Sequence, residues 1–172
     1  SVAVLLYHTV QKSFIIVRQF RPAVYATEMM SLAKTSNQSL PPLTAGFTFE
    51  LCAGIIDKRG LSLEEIAKEE VEEETGYTVD ADNIMKITSY VTAVGISGSR
   101  QTIFYANVDD SMLTSQHGGG LIDHGEIIEV LALPVDEVEA FIDDESLGKS
   151  AGMMFALNWG IERLKSNDGR VL

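Results

Sequence analysis

Gly54-Ile55-Ile56-Asp57-Lys58-Arg59-Gly60-Leu61-Ser62-Leu63-Glu64-Glu65-Ile66-Ala67-Lys68-Glu69-Glu70-Val71-Glu72-Glu73-Glu74-Thr75-Gly76-Tyr77 ends in a segment where five of the six residues from Glu69 to Glu74 are glutamate. Ser62 followed by Glu65 fits a capping box, in which hydroxyl and carboxylate satisfy orphan N–H groups, and Gly76 is a natural stop. The spacing predicts a helix over Leu63 to Thr75. The glutamates crowd its C-terminus, where the helix dipole disfavours negative charge. With about 100° per residue and Glu70 at zero, Glu73 falls near 300° and Glu74 near 40°. Leu63, Ile66 and Ala67 fall on the same side, so three carboxylates continue the apolar face, whereas Glu65, Lys68, Glu69 and Glu72 point away. Carboxylates turned inward at one another must be protonated or share a cation, because uncompensated buried charge costs several kcal/mol or more. For oxygen ligands that must also hold phosphates, Mg²⁺ is the natural cation. On spacing alone, a solvated acidic face stands at even odds with this.

The rest of the composition narrows the classes. The chain has 172 residues, 45% hydrophobic and 22% charged, which suits one buried core and a single domain over 1–172. Lys+Arg is 13 against Asp+Glu 25, a formal charge of -12, so the positive footprint that tracks a phosphate backbone is missing and nucleic acid is not expected as a partner. A divalent ion can still reverse the field locally for a small anion. The single Cys52 excludes an intrachain disulfide, and no apolar run is long enough for a membrane span, so the expected setting is reducing and cytoplasmic. The chain opens on Ser1-Val2-Ala3-Val4 without a basic leader, which speaks against a signal peptide and for a trimmed N-terminus.

Outward from the helix, Val2 to Tyr7 and Ser13 to Val17 read as a hairpin of strands, and Phe47 to Leu51 alternates as a strand should. Further strands are expected at Ile87 to Thr92, Thr102 to Val108 and Glu126 to Leu133, with helices at Pro134 to Ile142 and Ser150 to Lys165. Ser31 to Gly46, rich in Ser, Thr, Pro and Asn, reads as a loop, and Gly118-Gly119-Gly120 as a mobile one. Irregular alternation of strand and helix points to an α+β, layered sandwich.

The segment from Gly54 to Tyr77 resembles the Nudix box, G-x5-E-x7-R-E-U-x-E-E-x-G-U with U apolar. Its ending, Glu70-Val71-x-Glu73-Glu74-x-Gly76-Tyr77, matches at every specified position. Two positions depart: the spacing after Gly54 is one residue longer, which puts Leu61 where the first Glu is expected, and Glu69 stands where the pattern has Arg, a residue that usually orients a carboxylate of the box. Neighbouring Lys68 is the candidate substitute. Gln19-Phe20-Arg21-Pro22, Glu50-Leu51-Cys52-Ala53-Gly54 and Gly125-Glu126-Ile127-Ile128-Glu129-Val130 look like the ADP-ribose and nucleotide-sugar pyrophosphatases. With Gly95 to Thr102, the chain is most similar to the uridine diphosphate sugar branch of that group.

The resemblance implies an α/β/α sandwich around a mixed sheet, and a homodimer whose N-terminal dimerisation strands would precede Ser1. It implies hydrolysis of a nucleoside diphosphate sugar, best UDP-glucose to UMP and glucose 1-phosphate, with ADP-ribose to AMP and ribose 5-phosphate as the alternative. A weakly catalytic nucleotide-sugar-binding module is the third reading, for which Leu61 and Glu69 speak. Glu70, Glu73, Glu74 and the Ala53 carbonyl are the implied ligands of Mg²⁺, with Mn²⁺ as substitute. Glu126 is the implied general base and Glu129 the fallback. Arg21, Arg18, Glu50 and Arg100 are the candidate substrate contacts, since a guanidinium fork suits phosphate. His8, His117 and His124 lack metal-ligand spacing.

Overall fold

A computed structural model describes residues 1–35, 40–114, 118–120 and 127–166. Strand β1 (Val2–His8) is buried throughout, because both of its faces are covered. Val2, Val4 and Leu6 join one hydrophobic cluster, while Ala3, Leu5 and Tyr7 join the other. A strand buried on both sides reads as a continuous apolar run, which is how Val2 to Tyr7 appears in the sequence.

Strand β1 pairs antiparallel with β2 (Ser13–Phe20) only over Leu6–His8, and parallel with β6 (Arg100–Val108) along its whole length. Strand β2 then parts from β1, and the chain from Phe47 to Gly54 fills the gap. Its first part, β3 (Phe47–Glu50), pairs with β2 through Val17↔Glu50, and its second, β4 (Cys52–Gly54), pairs with β1 through Ala3↔Ala53. Strand β5 (Met85–Val91) extends the sheet beyond β6, and β7 (Ile128–Pro134) lies along the other edge of β2. The result is a mixed seven-stranded sheet with helices on both faces, the expected sandwich. Among the described residues no helix is long and apolar enough to cross a membrane.

On one face lies α2 (Leu63–Thr75), with Ile66, Ala67 and Val71 fully buried against β1 and β4. Its capping box is formed: the Ser62 hydroxyl accepts from the Glu65 N–H at 3.2 Å, and the Glu65 carboxylate accepts from the Ser62 N–H at 2.6 Å. Gly76 ends the helix at φ 77°, the left-handed conformation that glycine adopts without strain. The other face carries the short α3 (Val138–Asp143) and α4 (Ala151–Ser166), whose Met153, Ala156 and Leu157 are buried. The predicted helix from Pro134 is broken at its start, where Val135–Glu137 forms a 3-10 turn.

One sequence expectation is overturned. Residues 31–35, read as the start of a loop, belong to α1 (Pro22–Thr35). Pro22 occupies the first helical position, where its missing N–H is no loss, and Ala, Met, Leu and Lys that follow are good helix formers. The helix lies largely in solvent, with Met30 63% exposed, so it has no apolar stripe by which periodicity would reveal it.

The glycine run Gly118-Gly119-Gly120, read as a mobile loop, is docked on the end of α2. Gly119 N–H donates to the Glu74 carbonyl at 2.8 Å and Gly120 N–H to the Glu73 carbonyl at 3.2 Å, satisfying helix carbonyls that lack an intrahelical partner. A Cβ at Gly118 would lie within 2.6 Å of the Gly76 nitrogen. Gly118→Ala should therefore lower stability by about 1–3 kcal/mol in urea unfolding. Gly95→Ala, at a site with open space around it, should change it by less than about 0.5 kcal/mol.

Candidate active site

The C-terminal half of α2 faces β4 and the segment that leaves it, and three residues of that stretch meet Glu74, Glu70 and Glu73 in three different ways. Ala53 N–H donates to Glu74 Oε2 at 3.0 Å. Gly54 lies so close to Glu70 that any Cβ there would overlap the Glu70 carboxylate. Lys58 Nζ reaches Glu73 Oε1 at 3.5 Å and Glu69 Oε2 at 2.5 Å. Among the described residues, Lys58 rather than Lys68 makes the ion pairs to Glu69 and Glu73, and sequence spacing had no means of showing it.

Glu74 is 6% exposed, and the helical wheel is borne out in placing it inward. Burial pushes its carboxyl up to about 7 from the ordinary 4.5; the Ala53 N–H and the Cys52 thiol oppose that rise, and the charge of Glu70 adds to it. Cys52 itself is fully buried, and burial, with Glu74 beside it, pushes its thiol well up. Among the described residues, no three acidic, His or Cys side chains stand close enough together to form a ready-made metal cage. Like charges are kept apart by separate partners instead.

A cleft of about 580 Å³, within the range of small-molecule sites, shares Ala53 with this arrangement and is otherwise lined chiefly from the sheet and from the start of α4. Glu50 and Ala53 line it from the Phe47–Gly54 stretch, Tyr90 and Gln101 from β5 and β6, and Ser150 and Met153 from the start of α4. The Ser150 hydroxyl accepts from the Met153 N–H at 3.2 Å, so the positive end of the α4 dipole is turned to the cleft. Tyr90 O–H donates to Gln101 Oε1 at 2.5 Å, and a Cβ at Gly152 would collide with that hydroxyl. The strand position of Tyr90 and the helix position of Gly152 were legible; that β6 begins early enough to include Gln101, and that the three meet in one wall, was not.

The expected substrate residues divide between this cleft and a neighbour. Glu50 takes the Arg21 guanidinium on both oxygens, at 2.7 and 2.6 Å, and also accepts from the Thr48 hydroxyl. Burial would raise its carboxyl, but these bonds outweigh burial and hold it below the usual range. Arg18 instead lines a smaller cleft of about 310 Å³, over the Phe47 ring. It faces Glu129 across the β2–β7 ladder and grips it at 2.8 and 3.2 Å. Arg100 begins β6, and its carbonyl accepts from the Ser1 amino group; its neighbours Val91 and Gln101 line the main cleft. Glu126, His117 and His124 lie outside the described residues.

No protein-family model matches the chain. Among known proteins it is similar to the uridine diphosphate glucose pyrophosphatase NUDT14 of Bos taurus, at 44% identity covering 92% of this chain and 76% of that one. The Mus musculus protein of the same name is 41% identical over the same shares. A GDP-mannose pyrophosphatase of Cronobacter sakazakii is 34% identical over 78% of this chain and 60% of its own length. A crystal structure of an ADP compounds hydrolase superposes with a TM-score of 0.66, 18% identity and coverage of 98% of this chain and 75% of that one, which concerns the fold alone. With the glutamate helix, its docking segment and the sandwich around them in place, these relatives show that the chain belongs to the Nudix hydrolase family.

Proposed function

We propose that the chain hydrolyses the diphosphate bridge of a nucleoside diphosphate sugar, with UDP-glucose giving UMP and glucose 1-phosphate as the first candidate. The observation that carries the reading is the convergence of Ala53, Gly54 and Lys58 on Glu74, Glu70 and Glu73, with Ala53 also lining a cleft of ligand size. The 41–44% identical relatives named as UDP-glucose pyrophosphatases support the substrate.

The donor set, all carboxylate and carbonyl oxygen, fits a hard divalent cation such as Mg²⁺ or its substitute Mn²⁺. Held by Glu70, Glu73, Glu74 and the Ala53 carbonyl, that ion would supply neutralisation of the diphosphate charge and a more acidic water. The chain's own groups do the rest. Glu50 fixes the Arg21 fork by the cleft, where a guanidinium can take phosphate oxygens. Arg100 and Arg18 are the further contacts proposed for the substrate. Glu129 is held in an ion pair with Arg18, its Oε1 accepting from the guanidinium at 3.2 Å, so it is the less favourable group to take a proton from water; the base is assigned to Glu126. Water adds at one phosphorus, its proton passes to that carboxylate, and the bridging P–O bond breaks to leave two monophosphates. A homodimer is part of the proposal, supported by the exposed Met30, Leu40 and Leu43. Sedimentation velocity should give twice the chain mass, and a monomer at micromolar concentration would count against it.

In a phosphatase-coupled assay, UDP-glucose should be turned over with Mg²⁺ and not with chelator. Glu74→Gln and Glu126→Gln should each lower kcat by about 100-fold or more. Faster turnover of ADP-ribose would move the substrate to that alternative, and binding of UDP-glucose without turnover would favour a binding module.

The Glu74 carboxyl also sets a pH dependence. The folded chain holds its proton up to about pH 7, the unfolded chain only to about 4.5. The folded state binds the extra proton between those values, so its stability is full below pH 4.5 and falls as pH rises through about 7. The loss amounts to about 3 kcal/mol. Metal-free Glu74→Gln should therefore be the more stable protein at pH 8 by a margin of that order, and the margin should close at pH 4.5. Adding Mg²⁺ at pH 8 should raise the melting temperature of the wild type and leave that of Glu74→Gln nearly unchanged.

A further inference from the structure

Glu69 and Glu73 are four residues apart on α2 and so lie on one stripe of the helix. Between them sits the ammonium of Lys58, which comes from the segment before the helix. It is 2.5 Å from Glu69 Oε2 and 3.5 Å from Glu73 Oε1. The two contacts are unequal. The shorter one ties the lysine down, and the longer leaves Glu73 steered rather than locked. Glu73, with a side chain 37% exposed, stands beside Glu70 and Glu74 at the negative end of the helix dipole. Without a cation on its outer side, repulsion would turn its carboxylate toward water and away from the other two. A lysine ammonium is charged at neutral pH.

We propose that Lys58 is a positioning residue for Glu73: Glu69 anchors its ammonium, and the ammonium holds the Glu73 carboxylate in line with Glu70 and Glu74. The glutamate at the pattern's arginine position is then half of a device. The positive charge is supplied from eleven residues earlier in the chain, and Glu69 is there to receive it. The inference rests on the reading of Glu70, Glu73 and Glu74 as the metal-binding set. A partly exposed ion pair contributes little to stability, so loss of Lys58 should act on metal affinity more than on folding.

The test reads Mn²⁺ binding to the whole chain by electron paramagnetic resonance without substrate, together with the Mg²⁺ concentration that half-saturates turnover. Lys58→Met should weaken both by about tenfold or more. The KM for UDP-glucose at saturating metal should stay within about twofold, and the metal-free melting temperature within about 3 °C. Lys58→Arg should recover the affinity. So should Glu69→Arg placed in the Lys58→Met background, because a guanidinium there lies four residues from Glu73 on the same face. Lys58→Met binding Mn²⁺ as tightly as the wild type, or more tightly, overturns the inference, since the lysine would then be a bystander or a competing charge. A wild type that binds no Mn²⁺ overturns it as well. An inactive wild type whose Mn²⁺ affinity falls with Lys58→Met would defeat the hydrolase reading and uphold this one.

Discussion

Repulsion among carboxylates on one face of α2 is the constraint around which the rest of this structure is arranged. Three acidic groups at a helix C-terminus, next to Val71 and a closed core, could not persist without compensation. The compensation is local and chemically varied. Glu74 is satisfied by a backbone N–H, Glu70 is given room by the absence of a side chain at Gly54, and Glu73 is faced by an ammonium. All three come from one short segment, Ala53 to Lys58, so the registration of that segment against the helix decides the whole arrangement. The glycine strap at Gly118–Gly120 holds the far end of the helix by taking the carbonyls of Glu73 and Glu74. The helix is thus fixed through the very residues that carry the charge, by side chain on one side and main chain on the other.

The sheet supplies the rigidity that this needs. Strand β1 is covered on both faces and paired with β2, β4 and β6, so β4 is held on the most deeply buried strand of the molecule. The core packing of Ile66, Ala67 and Val71 then presses α2 against that same strand. Burial of apolar side chains here holds charged groups at a distance they would not choose for themselves. Burial is also what raises the Glu74 carboxyl, with the charge of Glu70 adding to it.

Much of this was legible in the sequence, for identifiable reasons. The capping box and Gly76 bounded α2 to the residue because caps are chemical signals that depend on few neighbours. The helical wheel found the buried Glu74 because periodicity survives folding, but Glu69, which it turned away, shares a stripe and a similar exposure with Glu73. The long apolar runs gave β1, β2 and β6. Helix α1 escaped because an exposed helix has no stripe to display. Lys58 escaped because its role depends on a loop returning to a helix, which no local spacing encodes. The resemblance placed Glu50 and Arg21 among the substrate contacts, but only the structure showed that they hold each other, and that Arg18 and Glu129 form a second such pair in a different cleft.

The change of partner within Phe47–Gly54 has a consequence for how such an enzyme can diversify. Glu50, on β3, belongs to the half of the sheet built on β2, from whose end Arg21 follows; Ala53, on β4, belongs to the half built on β1 and locked to α2. Leu51, buried in the core, is the joint between the two. The Glu50–Arg21 pair and the glutamate face are therefore carried by two mechanical units that share one residue of backbone. Substitution can alter the first while the packing of the second is passed on intact.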